Sequence, residues 1–147
     1  MSKLLRSWGQ YPHHPQHGTS VHWREQLAET IAATADRAGG TLPFGNGRRY
    51  GDSCLASSDE VIALRSLNRV IEADWQNGIV TAEAGVTLAE LLALCLPRGW
   101  FPGVTPGTRF VTLGGAIAKD VHGVAFGQFG SCRDGLRGGG IDHVLCR

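Results

Sequence analysis

Pro106-Gly107-Thr108-Arg109-Phe110-Val111-Thr112-Leu113-Gly114-Gly115-Ala116-Ile117-Ala118-Lys119-Asp120-Val121-His122-Gly123 is the stretch on which the reading of this 147-residue chain turns. A Pro-Gly turn leads through a short β-branched run to Thr112, a good N-cap, and the residues after it predict a short helix. The first turn of a helix leaves backbone N–H groups without partners and carries the positive end of the dipole, so it stabilises an anion. Gly114 and Gly115 put no side chain between that backbone and a ligand, although Gly inside a helix costs about 1 kcal/mol relative to Ala. Taken alone, the pair fits two uses equally: close approach of a phosphate or diphosphate, or a tight crossing of helix and sheet.

A second glycine-rich stretch lies upstream. Thr41-Leu42-Pro43-Phe44 predicts a short strand, with Pro43 marking an edge or a strand end. It leads into Gly45-Asn46-Gly47-Arg48-Arg49-Tyr50-Gly51-Asp52-Ser53. The three glycines allow successive backbone N–H groups to converge on one point, and the adjacent arginines add charge-assisted bonds to an anion. A triphosphate loop would end in Gly-Lys-Ser/Thr, and this one does not. A dinucleotide fingerprint would have glycine where Tyr50 stands and would open a helix. An ordinary glycine-rich turn with surface arginines remains the alternative.

The elements between and before these loops are short. Residues 22–38 place Trp23, Leu27, Ile31 and Ala35 on one helical stripe that ends at Gly39-Gly40. Residues 60–64, 69–74 and 78–84 read as strands, the last two joined by a turn at Gln76-Asn77-Gly78. Thr87 followed by Glu90 is a capping box for a helix over residues 88–96, stopped by Pro97, with Leu88, Leu91, Leu92 and Cys95 facing a core. The class is α+β.

Composition bounds the function. The chain is 42% hydrophobic with a formal net charge of +1, which gives no reason to expect nucleic acid as a partner. No apolar run approaches the roughly 20 residues needed to span a bilayer, so any membrane association is peripheral. Cys54, Cys95, Cys132 and Cys146 form no Cys-x-x-Cys pair and no secretory signal precedes them, which points to a cytoplasmic chain with free thiols. Residues 1–21 read as a flexible leader. Its His13, His14 and His17 have no carboxylate or Cys partners nearby, and no metal site is expected.

The two loops in order, the hairpin, and the Ala84-Gly85-Val86-Thr87-Leu88 helix entry resemble the FAD-binding (PCMH-type) domain of the vanillyl-alcohol-oxidase flavoproteins. Arg48-Arg49-Tyr50-Gly51-Asp52, in the form Arg-x-Tyr-Gly-Asp, and Pro106-Gly107-Thr108-Arg109 are most similar to the decaprenylphosphoryl-ribose 2'-oxidase branch, with sugar-lactone and alditol oxidases as cousins. The resemblance covers residues 22–123. It implies an α+β domain, the N-terminal subdomain plus part of the second, that holds FAD by its diphosphate. Phe44, Gly45, Asn46, Gly47, Arg48, Arg49, Tyr50, Gly51 and Asp52 would form the first cofactor loop, and Gly107, Thr112, Leu113, Gly114 and Gly115 the second. Lys119, Asp120, Val121 and His122 would lie along the flavin, His122 near its reacting edge. No catalytic base is identifiable. Relatives that bind flavin covalently carry His where Arg48 stands, so the resemblance implies non-covalent FAD, which would accept a hydride from an alcohol carbon of a sugar or sugar-lipid substrate.

After Gly123 the resemblance stops. The expected active-site segment is replaced by Val124-Ala125-Phe126-Gly127-Gln128-Phe129-Gly130 and a glycine-rich tail, so residues 124–147 read as a truncated or frameshifted end without strand alternation. On this reading the chain is an N-terminal fragment whose substrate domain, a C-terminal half, is missing. Two other readings stay open at this point: a nucleotide-binding module without catalysis, and a non-functional remnant.

Overall fold

The computed structural model describes residues 3–125, 128–131 and 142–145, with nothing said of the side chains of Lys3 or of residues 122 onward. The chain divides into two units, Met1–Leu67 and Asn68–Arg147.

The first unit is built on a mixed sheet of four strands. β1 (Lys3–Leu5) pairs antiparallel with β2 (Gln16–Ser20), and β2 and β3 (Leu42–Phe44) flank β4 (Glu60–Ala63) in parallel. Successive residues of β4 point to opposite faces, and both faces are covered. Val61 packs with Phe44 and Ala56, and Ile62 packs with Val21 and Leu67. The segment expected as a flexible leader is therefore two strands of this sheet. Gln16 is fully buried, and its Oε1 accepts the Ala56 N–H at 2.6 Å. A buried amide that is hydrogen-bonded replaces the apolar alternation by which a strand is ordinarily recognised.

Between β2 and β3 runs α1 (Leu27–Ala38), tied to β4 by an ion pair from Arg37 Nη2 to Glu60 Oε2 at 3.0 Å. Its stripe differs from the expected one. A 3₁₀ turn at Arg24–Gln26 precedes the helix, and the Gln26 Oε1 accepts the N–H groups of His22 and Trp23. That tighter turn breaks the four-residue spacing. Trp23 and Ile31 stay exposed, and the buried position of α1 is Thr34.

In the second unit, β5 (Val70–Asp74) and β6 (Ile79–Ala82) form the expected antiparallel hairpin, with a bulge between Val70 and Glu72. Then come α2 (Leu88–Cys95), α3 (Leu113–Ala118) and the strands β7 (His122–Ala125), β8 (Gln128–Ser131) and β9 (Asp142–Leu145). β7 pairs with β8, and β9 adds antiparallel to β6. These strands fall where the sequence shows no alternation. The glycines of the tail, Gly138-Gly139-Gly140, lie outside the described residues. The core joins Val80 and Ala82 of the hairpin to Leu88, Leu91 and Cys95 of α2 and to Leu113 of α3. Cys95 is a buried free thiol, as its place on the apolar face implies.

The hairpin turn supplies a pH prediction. Asp74 Oδ1 accepts the N–H groups of Gln76 and Asn77, and Oδ2 accepts from Asn77 Nδ2 at 2.6 Å. These bonds, the Asn77 side chain first, hold the Asp74 carboxyl below the usual carboxylate range. A depressed folded-state pKa contributes stability above the unfolded value, about pH 4, which is lost as pH falls through the folded value. Asp74→Asn should therefore melt earlier than the parent chain at neutral pH. The gap should close below about pH 4 in thermal scans, and a gap independent of pH would contradict the assignment.

Candidate cofactor site

Each unit carries one of the two glycine-rich stretches. In the first, residues 45–52 leave β3 directly after the buried Phe44. Gly47 is buried in the left-handed region, φ 60°, and a Cβ there would stand 2.8 Å from Phe44 Cζ. Backbone conformation and packing explain that glycine without a ligand. Gly51 differs, since its φ is ordinary and a Cβ would meet nothing within 4 Å. Arg48, Tyr50 and Asp52 are exposed, and Gly45, Asn46 and Arg49 half-buried. Partial removal from water lowers the Arg49 pKa from its ordinary value, an effect that the electrostatic influence of nearby Cys54 opposes. Arginine remains a cation at that depth.

In the second unit the site is organised by a symmetry the sequence reading missed. Val86-Thr87-Leu88 recurs as Val111-Thr112-Leu113, and each threonine is an N-cap in extended backbone, φ −88° and −84°. Thr87 and Thr112 face each other in an antiparallel bridge. Leu88 N–H donates to Val111 O at 3.1 Å and Leu113 N–H to Val86 O at 2.7 Å. Ala89 N–H donates to Arg109 O at 2.8 Å and Gly114 N–H to Ala84 O at 2.9 Å. The first turn of each helix is thus satisfied by the segment that leads into the other. The repeated tripeptide was the available signal.

Of the two uses left open for the Gly114-Gly115 pair, the hydrogen bonds bear first on the crossing. The α3 donors at Leu113 and Gly114 are spent on Val86 and Ala84, and Gly115 N–H meets Thr112 Oγ1 at 3.3 Å. Gly114 serves the tight crossing: a Cβ would stand 2.9 Å from Ala84 Cβ and 3.2 Å from Ala84 O. Gly114→Ala should therefore destabilise the chain by about 1–2 kcal/mol, and the cost should shrink in an Ala84→Gly background. A double-mutant cycle in urea with no coupling would count against the crossing.

Gly115 is where the twins diverge. In α2 the same position is Glu90, whose Oε2 accepts the Thr87 N–H at 2.8 Å and the Thr87 hydroxyl at 2.7 Å. In α3 no side chain folds back over Thr112. A Cβ on Gly115 would meet Thr112 Oγ1 alone, at 3.0 Å. Gly107, before α3, has the same character as Gly51, with an ordinary φ and nothing within 4 Å of a Cβ. Neither strain nor packing calls for glycine at Gly51 or Gly107, and the open space beside those two suits a group from outside the chain.

The remaining expected contacts follow α3. Lys119 is its exposed C-cap, a favourable end for a cation. Asp120 takes the left-handed position, φ 46°, with Asp120 N–H donating to Ile117 O and Val121 N–H to Ala116 O, a Schellman ending. Asp120 and Val121 thus stop the helix. His122 begins β7, and its side chain lies outside the described part.

Comparison with known proteins gives the family and the fold. Residues 16–140 match the FAD binding domain family, and the chain belongs to that family, with the α+β, PCMH-type fold expected from the sequence. Its relatives are oxidoreductases. Over 134 residues it is 35% identical to the decaprenylphosphoryl-beta-D-ribose oxidase of Mycolicibacterium smegmatis, an alignment spanning 88% of this chain and 29% of that protein. L-gulonolactone oxidase 3 of Arabidopsis thaliana is 34% identical over 95 residues, 63% of this chain and 15% of the relative. Among solved structures, alkyldihydroxyacetonephosphate synthase superposes with a TM-score of 0.73 at 18% identity, covering 91% of this chain and 32% of that one. The chain spans less than a third of each of these proteins.

Proposed function

We propose that the chain binds FAD non-covalently through residues 45–52 and 107–115, as the cofactor-binding part of an oxidoreductase acting on an alcohol carbon of a sugar or sugar-lipid. The observation that carries this reading is Gly115. Where the twin helix holds a carboxylate against its N-cap threonine, α3 has no side chain at the equivalent position.

In this reading a diphosphate oxygen takes the place beside Thr112 that Glu90 takes beside Thr87. Within the first loop, Arg48 and Arg49 can donate charge-assisted bonds to an anion, and Gly51 and, in the second loop, Gly107 leave the backbone approachable. Arg48 stands where covalent relatives carry His, which supports a non-covalent cofactor. Lys119, Asp120, Val121 and His122 lie along the flavin, with His122 tuning its reduction potential. Bound FAD supplies the hydride acceptor. The names of the two oxidase relatives, one for a decaprenylphosphoryl sugar and one for a sugar lactone, support the substrate class. No helix among the described residues is long and apolar enough to cross a membrane. A cytoplasmic location fits the free thiols Cys54 and Cys95.

The test is the visible spectrum of chain purified from cells supplied with riboflavin, before and after denaturation. Flavin released into solution on denaturation is the expected result. Colourless protein that takes up no FAD on titration would overturn the proposal.

A further inference from the structure

The family match begins at residue 16, yet the chain ahead of it is built onto the first glycine-rich loop. Residues 6–10 continue from β1, which anchors them to the sheet. Trp8 N–H donates to Gly47 O at 2.7 Å, and Gly9 N–H donates to Arg49 O at 3.0 Å. The Trp8 ring meets Tyr50 edge to face, centroids 5.2 Å apart. Contact is close enough that a Cβ on Gly9 would stand 1.9 Å from Tyr50 O, and one on Gly47 would stand 2.6 Å from Arg6 O. Ser7, between them, is buried.

We propose that residues 6–10 form a strap that positions the loop of residues 45–52 for its ligand, with Trp8 and Gly9 as positioning residues. The direction of the hydrogen bonds carries the argument. Both are donated by the strap to loop carbonyls, so the oxygens of Gly47 and Arg49, which would repel an anion, are already engaged by N–H donors. Neither bond spends a donor of the loop. A glycine-rich loop left to itself samples many conformations, and holding it in one removes the ordering cost from ligand binding. The inference rests on the FAD reading for the identity of the ligand, and on geometry alone for the positioning.

The test uses the full 147-residue chain and the variants Gly9→Val and Trp8→Ala. FAD is titrated by quenching of its fluorescence, and trypsin cleavage after Arg48 and Arg49 is followed by mass spectrometry without ligand, on protein shown folded by circular dichroism. The strap predicts FAD binding weakened about tenfold or more in Gly9→Val and less in Trp8→Ala, with faster cleavage at the two arginines in both. Unchanged affinity and cleavage in a folded Gly9→Val chain would overturn it. Should Gly9→Val fail to fold, Trp8→Ala decides by the same two readouts. If the parent chain takes up no FAD, the functional reading fails and cleavage decides alone. Faster cutting in the variants then upholds the strap, and equal cutting overturns it.

Discussion

In a Gly115→Glu chain, FAD affinity is expected to fall at least about a hundredfold while the thermal midpoint holds or rises. The substitution gives α3 the capping box that α2 already has. The new carboxylate would accept the Thr112 N–H and hydroxyl as Glu90 accepts those of Thr87. Its Cβ would meet Thr112 Oγ1 at 3.0 Å, a contact relieved by a shift of a few tenths of an ångström. Replacing glycine within the helix contributes about 1 kcal/mol, and the box a few tenths more. The ligand loses on two counts, because its place is filled and the filling group is itself an anion. Isothermal titration with FAD, paired with a thermal scan of each protein, reads both effects. A folded Gly115→Glu chain that binds FAD as well as its parent would sink the assignment of this position.

The second large effect is on stability. Glu83 is buried, its side chain 4% exposed, and its carboxylate accepts the Arg69 N–H at 2.8 Å and Arg69 Nη1 at 3.1 Å. Glu83 N–H in turn donates to Arg69 O at 2.9 Å, so the residue after β6 is clamped to the residue before β5. Glu83→Ala removes the acceptor of the Arg69 backbone N–H and of Arg69 Nη1. We expect a loss of about 2–3 kcal/mol, at or below the lower end of the range for broken buried pairs because the Arg69 side chain is 40% exposed. That corresponds to a fall of roughly 5–10 °C in thermal midpoint. Glu83→Gln keeps a carbonyl for the Arg69 N–H and should lose about half as much. Equal midpoints for the parent and Glu83→Ala would show that the clamp contributes nothing.

The sequence announced those parts of the fold whose signals are local. The Thr87 and Glu90 pair, the Gln76-Asn77-Gly78 turn and the apolar face of α2 each rest on residues a few positions apart; the pair and the turn stand where expected, and of the face Leu88, Leu91 and Cys95 are buried while Leu92 is half-buried. The strands of the first 20 residues were hidden because what β2 buries is an amide and a glycine, and only the distant Ala56 N–H explains Gln16. At the candidate site the glycines were visible but their uses were not. Gly114 answers to Ala84 and Gly47 to Phe44 and Arg6, whereas Gly51, Gly107 and Gly115 answer to no neighbour that forbids a side chain. Telling these apart needs coordinates, since a glycine required by packing and one required by a ligand are the same letter.

The exchange of hydrogen bonds between Thr87 and Thr112 also sets how this region comes apart. Neither helix start is complete alone, because each lends its carbonyls to the other across a loop of the chain. The amides of Leu88, Ala89, Leu113 and Gly114 therefore form a single opening unit, protected from deuterium together and released together. Fraying of α3 exposes α2 as well, so a ligand that fastens one also slows the breathing of the other.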